Sequence, residues 1–365
     1  MSIDFTKSAF LVRLGLRIRR SLLRLADFIV PVPYALFERS IGLSETMMLA
    51  VICEARVPEL LSEGPISTRE LSRLTQTNAD VLHRILRALS ARGIFRMTSG
   101  SEGLVSHSRL SRGLLKNTTH ASHEWAQYFG SSGNVKAWAD LRTSLVDGRS
   151  AFDRVFGETV WEWFAKNPQA QENFAQSMMG VTRLQAPIIL NLYNFGQHKQ
   201  LCDVGGGRGT LLSAILQEHP DLRSMLVDAP GVLSSAETLL TTAGVHDRVE
   251  LIPGNFFEAV PKGADCYLLK NILHDWNDEV CLHILKTVHR AMTSGQTLIV
   301  IEQLLEPSES SSLSLASFSD IQMLIACSDG RERSSREISS LLQQAGFLES
   351  RTHFHPITSV ITARR

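Results

Sequence analysis

Apolar residues return at helical spacing through the first half of the chain and gather into short continuous runs through the second. Phe10, Leu11, Leu14, Ile18, Leu22 and Leu25 recur mostly every three to four positions, which predicts an amphipathic helix. Pro31 and Pro33 end it. Ser67-Thr68-Arg69-Glu70 reads as a capping box that opens a short helix with Leu71 and Leu74 turned inward. Asn78 caps the next helix, whose stripe is Val81, Leu82, Ile85, Leu86 and Leu89; Gly93 stops it. Ile94 to Met97, a polar turn over 98–103, and Leu104-Val105 predict a hairpin. Helix, turn, helix, hairpin is the outline of a winged helix. From about 120 to 185 the pattern is helical again and holds Trp125, Trp138, Trp161 and Trp163.

After Asn194-Phe195-Gly196 the period changes. Gln200 to Val204 is a short strand, followed by Gly205-Gly206-Gly207-Arg208-Gly209 and a helix through Leu211, Leu212, Ile215 and Leu216. Further strands are predicted at 224–227, 249–252, 264–269 and 297–302, with helices over 234–243 and 277–291 between them. Alternating strands and helices of this kind build a mostly parallel sheet that binds ligands beyond the carboxyl ends of its strands.

Length and charge narrow the picture. A chain of 365 residues holds about two domains. With 37 basic and 37 acidic residues it lacks the net positive charge of a general nucleic-acid binder. Arg84, Arg87 and Arg92 on the second helix of the winged-helix outline are read as a solvated face, with DNA contact as the rival reading. Cys53, Cys202, Cys266, Cys281 and Cys327 form no Cys-x-x-Cys pair, which points away from a zinc site and toward reduced thiols in the cytoplasm. No run of about 18 apolar residues predicts a membrane span. The first thirty residues are the uneven stretch, with six basic side chains against Asp4 and Asp27. An arm packed on a partner subunit is favoured there, with membrane contact or targeting as the alternative.

The glycine loop carries the first chemistry. Asp228 ends the strand after the loop, 19 residues beyond Gly209, where a carboxylate accepts hydrogen bonds from ribose hydroxyls. That suits a nicotinamide dinucleotide or any adenosine ligand. Asp203, which precedes the first glycine by two residues, would repel a pyrophosphate and suit a cationic sulfonium, which favours S-adenosylmethionine.

Five segments then occur in order: Asp203-Val204-Gly205-Gly206-Gly207-Arg208-Gly209, Asp228-Ala229-Pro230, Gly254-Asn255-Phe256-Phe257, Leu273-His274-Asp275-Trp276-Asn277-Asp278-Glu279 and Gly330-Arg331-Glu332-Arg333. With them the chain resembles the S-adenosylmethionine-dependent O-methyltransferases of the plant caffeic-acid type and their bacterial and fungal secondary-metabolism relatives. The resemblance runs from about Tyr34 to the C-terminus. It implies an α/β fold with an α-helical winged-helix-like dimerisation and pocket domain over 34–185 and a Rossmann-like, mostly parallel-sheet domain over 186–365; the basic amphipathic arm over 1–33 precedes them and lies outside the resemblance. A homodimer and a small-molecule acceptor are implied, with no nucleic acid.

By resemblance Gly205 and Gly207 face the methionine and ribose of the cofactor, Asp228 the ribose, Asn255 and Phe256 the adenine, and Lys270 the sulfonium end. Asn255 stands where the family usually has Asp. His274 is the implied general base for a hydroxyl, flanked and oriented by Glu302 and Glu332; an imidazole suits that task because its pKa lies near working pH. S-Adenosylhomocysteine is the implied co-product. Met178 and Met323 match positions that clamp a flat aromatic acceptor, and Trp125 and Phe129 are candidates for the pocket wall. Transfer to carbon or nitrogen on the same scaffold, or a non-catalytic cofactor-binding regulator, are the rival readings. A metal is not expected. Asp278 and Glu279, which with His274 and Asp275 could form a carboxylate cluster, begin a helix whose dipole accounts for them.

Overall fold

The computed structural model describes residues 8–98, 103–116, 118, 121–306 and 315–365. The tip of the expected hairpin at 99–102, and Asp4 and Lys7 of the basic arm, lie outside the described residues. The chain divides into two compact units. A helical unit comprises Arg24–Lys136 and Phe164–Val181, and a sheet unit comprises the residues up to Leu23, Ala137–Trp163 and Thr182–Arg365. The contiguous limits read from the sequence differ from these units because 137–163 packs within the sheet unit. Trp138 Nε1 donates to Gln322 Oε1 at 2.8 Å, and Ser150 Oγ donates to the Ile325 carbonyl at 3.2 Å.

In the helical unit the expected N-caps form, but the capping box closes on the Ser67 side only, because both Glu70 carboxylate oxygens are taken by Arg73. Ser67 Oγ accepts from the Glu70 N–H at 3.2 Å to start the helix Thr68–Thr75, and Asn78 Oδ1 accepts from the Val81 N–H at 3.1 Å to start Ala79–Ala91. The Glu70 carboxylate pairs with Arg73. Gly93 follows the second helix with φ +72°. Strands β1 (Ile66–Ser67), β2 (Phe95–Met97) and β3 (Leu104–His107) form an antiparallel sheet in the order β1-β3-β2. Leu71, Leu82, Leu86 and Leu89 bury against Phe95 and Val105. Two expected core residues are corrected: Leu74 is 43% exposed and Val81 50% exposed, because each sits at the solvent edge of its stripe. Arg92 is engaged by Glu38 at 2.7 Å and Glu45 at 3.0 Å, and Arg84 by Asp80 at 3.7 Å, so these arginines form a solvated, paired face.

The basic amphipathic helix forms over Ala9–Ile29, and a new helix starts at Val32 behind Pro31. Val12 is its one buried residue, and Arg13 lies over the Phe354 ring at 4.9 Å from the centroid. Leu11, Leu14, Ile18 and Leu22 are exposed. Among the described residues no helix is long and apolar enough to cross a membrane.

The sheet unit is built on seven strands: β4 (Gln200–Val204), β5 (Arg223–Asp228), β6 (Val249–Pro253), β7 (Cys266–Lys270), β8 (Thr297–Glu302), β9 (Leu348–His353) and β10 (Ser359–Arg364). Their order is β6-β5-β4-β7-β8-β10-β9. The first five are parallel, while β10 runs antiparallel between β8 and β9. Both faces are covered, so strand residues alternate between two cores. On β8, Leu298 and Val300 enter one and Ile299 and Ile301 the other. Arg248 fixes the end of the helix after the glycine loop by donating to the carbonyls of Leu216, His219, Pro220 and Leu222 at 2.7 to 3.3 Å. The chain leaves β4 toward β5 on one side and returns through β7 on the other. This switch point opens a crevice at the carboxyl ends of β4 and β7.

Candidate active site

The glycine loop follows β4 at that crevice. Gly205, Gly207 and Gly209 take φ of +70°, +59° and +73°, the left-handed region that glycine enters without penalty. Asp228 anchors the loop: its Oδ2 accepts from the Gly207 N–H at 2.8 Å and its Oδ1 from the Ala229 N–H at 2.7 Å. Each oxygen keeps a lone pair for a further donor, as ribose recognition requires. Asp203 is 2% exposed and packed against Gly206, where burial and then the Asp228 charge push its pKa up to about 7.

Phe256 and Ile272 close over Gly205, 3.3 and 2.7 Å from where a Cβ would stand. Phe256 packs on Phe257, whose ring meets Trp276 edge-on at 5.0 Å. Asn255 spends part of its amide locally: Oδ1 accepts from the Phe257 N–H at 3.1 Å and Nδ2 donates to Glu258 Oε1 at 3.0 Å. Lys270, at the end of β7, donates to Thr182 Oγ1 at 3.2 Å, and burial lowers its ammonium to about 8 against the pull of Glu302 and Asp203. Thr182 was not expected, since one hydroxyl on a long helix carries no periodic signal.

His274 sits in the short turn Leu273–Asp275 just beyond β7. Its Nδ1 is 3.4 Å from Glu302 Oε2 and 3.4 Å from Glu332 Oε1, and its Nε2 is 3.5 Å from Asp275 Oδ1. The carboxylates are themselves held. Glu302 Oε1 accepts from the Ile272 and Leu273 N–H groups at 3.1 and 2.9 Å, and Glu332 Oε1 accepts from Ser319 Oγ at 2.6 Å. Ser319 is a second residue the sequence did not announce. Among the described residues His274 Nδ1 and Glu302 Oε2 are buried with no hydrogen-bond partner, so the contact between them is electrostatic.

That electrostatics is strong. Burial works against the imidazolium, yet Glu302, Asp275 and Glu332 outweigh it and raise His274 to about 10. Burial raises Glu302 to about 7, opposed by the His274 charge. Two carboxyls meet one Nδ1 that has a single proton to give, so Glu302 and Glu332 compete for the same N–H.

The cluster considered for a metal, His274 with Asp275, Asp278 and Glu279, is not what the fold assembles. Asp278 is taken by Arg331 at 3.1 Å and Arg333 at 2.7 Å. Among the described residues the set whose ligand-type atoms do converge, within 4.8 Å, is His274, Glu302 and Glu332.

The expected acceptor residues are distributed between the units. Trp125 and Phe129 stack at 5.2 Å with planes 18° apart in the helical unit, which also contains half-buried Met178 on the helix Pro168–Leu192. Met323 is half-buried on Ala316–Ala326 in the sheet unit.

Comparison with known proteins gives this geometry a context. Residues 138–348 match the family model of an O-methyltransferase domain, and residues 38–117 that of an O-methyltransferase dimerisation domain. The mitomycin biosynthesis 6-O-methyltransferase of Streptomyces lavendulae is 34% identical over 85% of this chain and 88% of its own. Among solved structures, the mitomycin 7-O-methyltransferase MmcR superposes with a TM-score of 0.85 at 32% identity, over 92% of this chain and 98% of that one. The O-methyltransferase NcsB1 from neocarzinostatin biosynthesis, in complex with S-adenosylmethionine and 2-hydroxy-5-methyl naphthoic acid, gives 0.76 at 28% identity, over 87% of this chain and 95% of that one.

Proposed function

The chain belongs to the S-adenosylmethionine-dependent O-methyltransferases, and from that premise we propose that it methylates a hydroxyl on a small aromatic metabolite with His274 as the general base. The observation that carries this reading is the junction of β7 and β8, where Glu302 and Glu332 both address Nδ1 of His274 and so orient the ring. Nε2 is then the nitrogen that takes the proton. The aromatic acceptor follows the naphthoic acid named with NcsB1, and the stacked rings of Trp125 and Phe129 within the helical unit suit such a molecule.

The residues present fit the cofactor. Three successive glycines, Gly205 to Gly207, bring bare backbone to the crevice, and Asp228 is anchored with acceptor capacity left over. S-Adenosylmethionine, when bound, supplies an electrophilic methyl group on a sulfonium. Gly205, Gly207 and Asp228 would hold its methionine and ribose portions, Asn255 and Phe256 its adenine, and Lys270 would lie toward the sulfonium. His274 removes the hydroxyl proton and stabilises the phenolate; the paired carboxylates stabilise the imidazolium that results.

We read the protein as a homodimer of the cytoplasm. The first helix of its dimerisation domain, Gly42–Glu54, exposes Leu43, Met47 and Val51 in one stripe. The exposed stripe of Ala9–Ile29 belongs to the same kind of arm-to-partner packing. The five cysteines are buried and unbridged, as suits a reducing compartment.

The test is turnover with isotopically labelled S-adenosylmethionine against a panel of phenols and hydroxynaphthoates. The expected product carries one new methoxy group by mass and NMR; transfer only to carbon or nitrogen overturns the hydroxyl assignment. A second measurement follows from the charge on His274. A base must be neutral to accept a proton, and its pKa is raised to about 10, so kcat/KM climbs with pH through the alkaline range. Glu302→Gln removes an anion from Nδ1, lowers that pKa and moves the acid limb to lower pH. The acceptor's own ionisation is common to both enzymes, so the displacement reports His274. Coincident profiles would remove Glu302 from the proton's environment.

A further inference from the structure

We propose that Arg333 is a positioning residue that holds the turn bearing His274 in register with Glu302 and Glu332. Its guanidinium is 3% exposed and embraces the turn from both ends. Nη1 donates to the Leu273 carbonyl at 2.6 Å, the residue before the histidine, and Nη2 donates to the Trp276 carbonyl at 2.7 Å, two residues after it. Nη2 and Nε also reach Asp278 Oδ1 at 2.7 and 2.9 Å, at the start of the helix Asp278–Ala291. One planar fork therefore fixes the separation between two carbonyls and a helix N-terminus, which a single ammonium cannot do.

The contact is close along its whole length. At Gly330 a Cβ would stand 2.8 Å from the His274 carbonyl oxygen and 3.1 Å from the Asp275 carbonyl carbon. Only glycine lets segment 330–333 lie this near the turn. On the opposite side Glu302 Oε1 takes the N–H groups of Ile272 and Leu273. The turn is thus gripped through its N–H groups by an acid that also faces the imidazole, and through its C=O groups by Arg333. Glu332 faces the imidazole from the residue next to that arginine. Slack in Arg333 is slack in both the ring and one of its carboxylate partners. The Asp278 contact of Arg331 is half-exposed and screened, so it contributes little to the grip.

The inference rests on His274 as the base, and its test separates the two. Arg333→Lys keeps the charge opposite Asp278 but not the fork; Asp278→Asn loosens the fork while keeping the arginine. In the full-length enzyme Arg333→Lys is expected to lower kcat about 100-fold, the scale of a misplacement near one ångström, with S-adenosylhomocysteine affinity unchanged in calorimetry. Asp278→Asn shifts kcat the same way by less. In a His274→Ala background Arg333→Lys costs nothing more, because both changes act through one group. An equal fold-loss in both backgrounds, or wild-type kcat in Arg333→Lys, overturns the proposal. Should His274→Ala itself keep full turnover, the base assignment fails, and Arg333 is judged on NMR titration of the His274 ring. A pKa falling toward the ordinary histidine value in Arg333→Lys supports the positioning role, and an unmoved one overturns it.

Discussion

Replacing His274 by alanine is expected to lower kcat about 10²- to 10⁴-fold, the range a positioned general base contributes, while S-adenosylhomocysteine binds as before. The loss is on the order of 3 to 5 kcal/mol of barrier. Binding is spared because the ring makes no contact with the glycine loop. It faces Glu302, Glu332 and Asp275, and the loop is anchored separately on Asp228. The fold is expected to survive as well. Without the imidazolium, Glu302 and Glu332 are left facing each other, and the already elevated Glu302 retains its proton. Quenched-flow detection of the methylated product, beside calorimetry on the same preparation, separates the two quantities. Undiminished kcat would mean that proximity to the methyl donor suffices and that the acceptor arrives already ionised.

What was legible beforehand is what local chemistry writes into the chain. Ser67 and Asn78 announce helix starts because an N-cap needs only a side-chain oxygen three residues before an N–H, and both accept from that N–H. The parallel strands show as apolar runs because both their faces are buried. Strands β9 and β10 escaped that reading. Leu348–His353 is an exposed edge with no alternation, and Ser359–Arg364 becomes a central strand only by inserting antiparallel beside β8. Leu74 and Val81 were assigned inward by period alone, although a helical stripe does not mark where its edge meets water. The family motifs brought His274, Glu302 and Glu332 into one list. They left open that both acids address the same nitrogen, which depends on Glu302 ending β8 beside the β7 turn and on Glu332 approaching across Gly330. Likewise the place of Asp203 ahead of the glycines does not disclose that it packs, buried, against Gly206.

Gly206→Ala is the second large effect, expected to weaken S-adenosylhomocysteine binding roughly ten- to a hundredfold, since forcing a methyl group into packed surroundings costs about 1 to 3 kcal/mol. The glycines singled out from the sequence, Gly205 and Gly207, earn attention for their positive φ. Gly206 lies outside that region, and its constraint is steric. A Cβ there would overlap Leu226 Cδ1 and the Asp203 carboxylate, with Asp203 Cγ at 2.5 Å. Neither neighbour can yield: Leu226 is 0% and Asp203 2% exposed, held in adjacent parallel strands. The loop must rise instead, and lifting it pulls the Gly207 N–H from Asp228 and leaves the ribose-binding carboxylate without one of its two anchors. Gly231→Ala supplies the control, for a Cβ at that position meets nothing within 4 Å and its φ is ordinary. Calorimetric titration of both variants with S-adenosylhomocysteine decides the matter. Equal affinities would show that the loop yields without cost, and the steric constraint assigned to Gly206 would have to be withdrawn.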